Sequence, residues 1–91
     1  MDMNSKFPLG QIVATQGALS TFEPSVLQIC LNRHANGDGG DLCKEDKEQN
    51  TQAIKSGNYR VFSVYVLPQG KLWVITEADR SVTTCLLPCE Y

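Results

Sequence analysis

The clearest alternation of apolar and polar positions lies in the last third of the chain. Between Tyr59 and Leu67, the set Arg60, Phe62, Val64, Val66 alternates with Tyr59, Val61, Ser63, Tyr65, Leu67, the period of two that marks an extended strand. Leu67-Pro68-Gln69-Gly70 then fits a type I turn, with proline fixing φ at the second position and glycine free to turn left-handed. Lys71 to Glu77 reads as a second strand and Val82 to Leu87 as a third. Short turns between the three allow only a consecutive antiparallel meander. If Gly70 forms a bulge, Leu67 pairs with Lys71. Phe62, Val64 and Val66 then share a face with Leu72, Val74 and Thr76, and the other face carries Val61, Tyr65, Trp73, Ile75 and Glu77. The register of the last strand depends on whether its turn has two or three residues, which the sequence leaves open.

Upstream, the pattern turns helical. Gln11-Ile12-Val13-Ala14 is a short β-prone run expected at the sheet edge, and Thr15 can cap a helix from Gln16 to about Phe22. Pro24 suits the first turn of a second helix to about Ala35, where its missing N–H costs nothing. Leu27, Cys30, Leu31 and His34 lie on one face of it. Asp41 is an expected N-cap for a third helix through Ser56, closed by Gly57. Its anchors are Leu42, Cys43, Ala53 and Ile54. Asp46 and Asn50 fall between Cys43 and Ile54 on the same side, so both are expected to need partners, near Arg60 or Thr76–Arg80.

These elements predict an α+β domain, with three N-terminal helices packed on a mainly antiparallel sheet of three to four strands. Residues 1–8 are read as an N-terminal tail and 9–91 as a single domain. Both sheet faces are apolar. One must carry the helices, and Tyr65, Trp73 and Ile75 are too much for a solvated face. That face is expected to be covered by the N-terminal segment or by a second copy, giving a homodimer.

Composition narrows the function classes. A net charge of -2 over 91 residues argues against a dedicated nucleic-acid binder. No apolar run approaches a membrane span. The start Met1-Asp2-Met3-Asn4-Ser5-Lys6 lacks the pattern of an export signal, so a cytoplasmic location is expected. Cys30, Cys43, Cys85 and Cys89 are accordingly read as free thiols.

Several constellations invite chemistry. Cys30, His34, Cys85 and Cys89 include four zinc-type ligands, but no C-x-x-C pair exists and Pro88 interrupts the last two, so no metal is expected. Asn36-Gly37-Asp38-Gly39-Gly40-Asp41 has Asp41 where a calcium loop needs glycine, and Lys47 where it needs glutamate. No phosphate-binding glycine motif occurs, and no cofactor is expected. A hydrolase or ribonuclease-like effector would use His34 as general base, with Arg60 or Arg80 stabilising charge. Thr76, Glu77, Asp79, Arg80 and Ser81 form a polar cluster, read either as a solvated turn or as a partner-binding edge.

Leu9-Gly10-Gln11-Ile12-Val13-Ala14-Thr15 opens the folded region. Arg33-His34, Gly37-Asp38, Gly40 and Glu45-Asp46 with Asn50 follow. Leu72-Trp73-Val74-Ile75-Thr76-Glu77-Ala78-Asp79-Arg80-Ser81-Val82-Thr83-Thr84 closes it, with Leu86-Leu87-Pro88 and Tyr91. In this order they resemble a family of short bacterial proteins carried on plasmids and integrative elements. The resemblance covers nearly the whole chain from Leu9. It implies cargo of a mobile element and brings no activity, substrate or cofactor with it. Gln16 replaces a usual proline, Gly39 a usual tryptophan and Cys89 a usual acidic residue.

The expected role is therefore a non-enzymatic accessory or regulatory protein acting through protein contacts. The binding residues are Glu77, Asp79, Arg80, Trp73 and Tyr65, and the supporting polar network is Asp46, Asn50, Arg60 and Thr76. The hydrolase is the alternative.

Overall fold

A computed structural model describes residues 5–91 of the chain. The elements run β1 (Gln11–Ala14), α1 (Gln16–Thr21), α2 (Pro24–Ala35), α3 (Lys44–Ser56), β2 (Val61–Leu67), β3 (Gly70–Thr76) and β4 (Val82–Leu86), with a closing 3-10 turn at Pro88–Glu90. The sheet has four strands in the order β1-β4-β3-β2. The meander β2-β3-β4 is antiparallel, as its short turns demand. β1 joins β4 in parallel, so the sheet is mixed. Parallel pairing needs a long crossover, and the whole of α1 to β3 supplies it.

Helix ends follow local chemistry. The Thr15 hydroxyl accepts from the Ala18 N–H and caps α1, and Pro24 opens α2. Both Glu90 carboxylate oxygens turn onto the start of α1, Oε1 accepting from the Thr15 hydroxyl and Oε2 from the Gly17 N–H at 3.1 Å. α3 starts at Lys44, later than expected, because Asp41 is used elsewhere. Glu45 and Asp46 fall in its first turn, where carboxylates suit the helix dipole.

The register differs from the bulged hairpin expected. Leu67 pairs with Gly70, leaving the two-residue loop Pro68-Gln69. A slip of one residue exchanges faces along a whole strand. Val61, Ser63 and Tyr65 therefore sit with Leu72, Val74 and Thr76. Phe62, Val64 and Val66 sit with Lys71, Trp73 and Ile75. Tyr65 is fully buried beneath the helices, on the opposite face from Trp73 and Ile75, and so drops out of the expected association face.

The helix-covered face holds the core. Tyr65, Leu72, Val74 and Cys85 pack against Ala18, Phe22, Leu27, Cys30 and Leu31. The α2 stripe Leu27, Cys30, Leu31 and His34 is buried as its spacing predicts. Phe7 packs with Ala53 and Val61 in a second cluster, and the Lys6 N–H donates to the Ala35 carbonyl at 2.8 Å. The expected tail is thus part of the fold from Lys6 onward, while its first four residues lie outside the described residues. Gly10 lets β1 approach the β3–β4 turn. Its φ is +65°, and a Cβ there would lie 2.4 Å from the Arg80 and Ser81 carbonyl oxygens. Among the described residues no helix is long and apolar enough to cross a membrane.

Candidate functional site

The buried histidine anchors a polar seam rather than a site. His34 is 0% exposed, as are Thr76 and Thr83, and Ser63 is 1% exposed. Thr83 donates its hydroxyl proton to the Leu9 carbonyl at 2.7 Å, so it must accept from Thr76, also at 2.7 Å. Thr76 has then spent its one proton and must accept from Nε2–H of His34 at 2.8 Å. Burial and the nearby Arg80 charge lower the His34 pKa to about 4, so its ring is neutral at pH 7. Nδ1 therefore accepts from the Ser63 hydroxyl, at 2.6 Å. One directed chain runs from Ser63 through His34, Thr76 and Thr83 to Leu9, tying β2, α2, β3 and β4 to the segment before β1. Both ring nitrogens are engaged, which leaves no base for a ligand arriving from solvent.

Arg80 is likewise turned inward. It has φ +62°, in the left-handed region. One guanidinium nitrogen donates to the Tyr59 carbonyl at 2.7 Å, and to those of Glu77 and Ala78 at 3.2 Å. The other donates to the Ala53 carbonyl near the end of α3 at 2.9 Å. The guanidinium also lies 5.5 Å from the Phe7 ring centroid. Beside it Asp79 accepts from the Ser81 N–H at 3.0 Å and hydroxyl at 2.6 Å, and the Ser81 bonds hold its carboxyl below the usual range. Glu77 stays exposed. The Glu77–Ser81 turn is therefore fixed, but through Arg80 and backbone carbonyls, not through Asp46.

The expected polar network divides. Asn50 is buried, and its side-chain amide donates to the Phe62 carbonyl while its oxygen accepts from the Phe62 N–H at 3.0 Å. Asp46 is exposed and Arg60 is exposed. Thr76 belongs to the buried seam.

All four cysteines are free. Cys30 and Cys85 lie in the core, where burial pushes the Cys30 thiol up and the Cys85 thiol up to about 12. Among the described residues no three histidine, cysteine, aspartate or glutamate side chains converge as metal ligands.

What remains open is a groove. α3 runs beside β2, and the sheet face turned away from the α2 side is left partly bare next to it. The recess between them has a volume of about 970 Å³. Phe62, Trp73, Ile75 and Tyr91 form its floor, and Glu45, Asp46 and Glu48 stand on the α3 wall. Phe62 meets Trp73 edge-on at 5.1 Å between centroids, and Trp73 meets Tyr91 at 5.6 Å. Arg60 donates to the Tyr91 hydroxyl at 3.0 Å, which fixes that ring in the floor. No histidine, cysteine, serine, threonine or lysine lines this groove. Its chemistry is that of a cation-accepting surface. Aromatic faces attract ammonium and guanidinium groups, and carboxylates bond them.

Of the sequence-derived binding residues, Trp73 lies in the groove. Glu77, Asp79 and Arg80 form the fixed turn, and Tyr65 is in the core with its hydroxyl donating to the Asp38 carbonyl at 2.6 Å. Phe62, Tyr91, Glu45 and Glu48 were not among the expected site residues. Of the hydrolase set, which paired His34 with Arg60 or Arg80, His34 is buried with both ring nitrogens engaged, Arg80 lies near it but is taken up by carbonyls, and Arg60 lies apart against Tyr91. Compared with protein-family models, characterised proteins and solved structures, the chain matches none.

Proposed function

We propose that the chain is a non-enzymatic accessory or regulatory protein of a bacterial mobile element, working in the cytoplasm by gripping a protein partner in the groove beside α3. The mobile-element part rests on the resemblance of its ordered motifs. The binding part rests on one observation: an aromatic floor of Phe62, Trp73 and Tyr91 lies open beneath a wall bearing Glu45, Asp46 and Glu48. Three carboxylates against the single guanidinium of Arg60 leave the groove with two net negative charges, equal to the net charge of the entire chain at -2. Such a surface suits a polypeptide segment carrying lysine or arginine beside an apolar side chain, and it repels phosphate. Partner contact on this face uses Trp73 with Tyr91, since Tyr65 is buried.

Affinity capture from the native bacterium tests this, with wild type compared against the Glu45→Lys/Glu48→Lys double variant. Both positions are exposed, and circular dichroism checks that the variant stays folded without the Glu45 carboxylate in the first turn of α3. The expected result is a partner retained by wild type and lost by the variant. A partner held equally by both would place binding on another surface.

A further inference from the structure

The two edges of the sheet are treated in opposite ways. On β2, residues 62, 64 and 66 turn their backbone groups outward. Asn50 bonds both groups of Phe62. The Val64 N–H donates to the Gly39 carbonyl at 3.0 Å, and the Val64 carbonyl accepts from the Asp41 N–H at 2.7 Å. The Val66 N–H donates to the Asp41 carboxylate at 2.7 Å. Gly40 makes this approach possible, because a Cβ there would lie 2.2 Å from the Val64 carbonyl oxygen. Five outward groups are thus closed off by a side chain and a loop.

On β1 nothing comparable occurs. The Gln11 N–H donates to the Ser81 carbonyl at 3.0 Å and the Thr15 N–H to the Cys85 carbonyl at 2.9 Å, so odd-numbered residues face β4. Ile12 and Ala14 therefore direct their N–H and C=O groups away from the sheet. No hydrogen bond to either outward pair occurs among the described residues. The strand carries no charge, proline or bulge, the usual guards of a free edge. Ile12 is 50% and Val13 38% exposed.

We infer that β1 is an association edge through which two copies of this chain pair antiparallel about a two-fold axis at Val13. Outward groups must face outward groups, which limits the register. With the axis at Val13, Ile12 of each copy exchanges both backbone bonds with Ala14 of the other, and four hydrogen bonds form. Val13 then faces Val13 in a close non-hydrogen-bonded pair on the groove side of the sheet, and Ile12 lies across from Ala14 on the helix side. An axis at Ile12 would instead need Gly10 opposite Ala14. Gly10 is left-handed and pressed against the Arg80–Ser81 turn, so that second pair fails. The occupant is a second copy because the strand is uncharged and self-complementary: the same four groups that need partners supply them. The product is one eight-stranded sheet with the two grooves at its outer ends. An interface built on so short a strand lies in the small class, so pairing is weak and depends on concentration.

Sedimentation velocity of the full chain up to roughly millimolar concentration tests it, the range in which small interfaces associate. Wild type is expected to shift from monomer to dimer as concentration rises. Ile12→Pro removes an N–H that β4 does not use, and proline is tolerated on an edge strand, so the variant should fold but stay monomeric. Val13→Lys sets two ammonium groups against each other on the axis and should also abolish the dimer. Val66→Lys, on the closed edge, should dimerise like wild type. Circular dichroism confirms that each variant is folded. A monomeric wild type throughout the range overturns the inference. So does a dimer that survives both β1 variants, or one that Val66→Lys also abolishes.

Discussion

The neutral imidazole of His34 gives the protein a pH dependence of known sign. The folded state holds its pKa near 4, below the ordinary 6.5 of an exposed histidine. The unfolded chain therefore binds the proton more readily, and stability is full above pH 6.5 and falls as pH drops toward 4. Linkage gives a loss of about 2 kcal/mol between pH 7.5 and pH 5. His34 is the single histidine, so urea melts across this window report on it directly. A flat profile between those values would mean that the ring is reached by solvent. Asn50 and Asp46 make a contrasting pair on one helix. Asn50→Ala strips both partners from the Phe62 backbone and should cost about 1–3 kcal/mol. Asp46→Ala alters the groove wall and gives up a first-turn carboxylate, a loss offset by the helix propensity of alanine, and should stay within about 0.5 kcal/mol. Urea melts of the two variants separate these roles.

At the scale of elements, glycine positions test how the loops are seated. Gly40→Ala and Gly10→Ala would each drive a Cβ into a backbone carbonyl, whereas Gly57→Ala meets open space. All three residues have positive φ, which alone costs an alanine about 1–2 kcal/mol. Thermal melts should therefore rank Gly57→Ala well above the other two, and equal melting temperatures would contradict the close approaches. Most elements were legible in the sequence, because each had a local signal: Thr15 as a cap, Pro24 at a helix start, the α2 stripe, the strand alternation. Two things were not. Alternation cannot distinguish a two-residue from a three-residue hairpin loop, and that choice alone moved Tyr65 under the helices and brought Phe62 to the groove. The signal that could have decided it was chemical. A buried His34 needs hydroxyl partners, and only the two-residue loop puts Ser63 and Thr76 together on the helix side. The parallel addition of β1 was hidden because its partner strand is over sixty residues away, with no local mark of direction.

At the scale of the whole molecule, the fold spends its polar groups on holding itself together. His34, Asn50, Asp41 and Arg80 are all committed to internal partners, whereas the groove carboxylates and aromatics stay open to a partner. That is also why the site was only partly legible. Trp73 stood out by size, but Glu45 and Glu48 look like any solvated helix face until the sheet beside them is seen to be bare. Binding in the groove is the central claim, and site-specific photo-crosslinking in the native bacterium tests it most directly. A crosslinker replaces Gln49, which lines the groove, or Gln69, which is exposed in the β2–β3 loop. The account predicts a discrete protein adduct from position 49 and none from position 69. An adduct from position 69 alone, or none from position 49 while the partner is still captured, would contradict it.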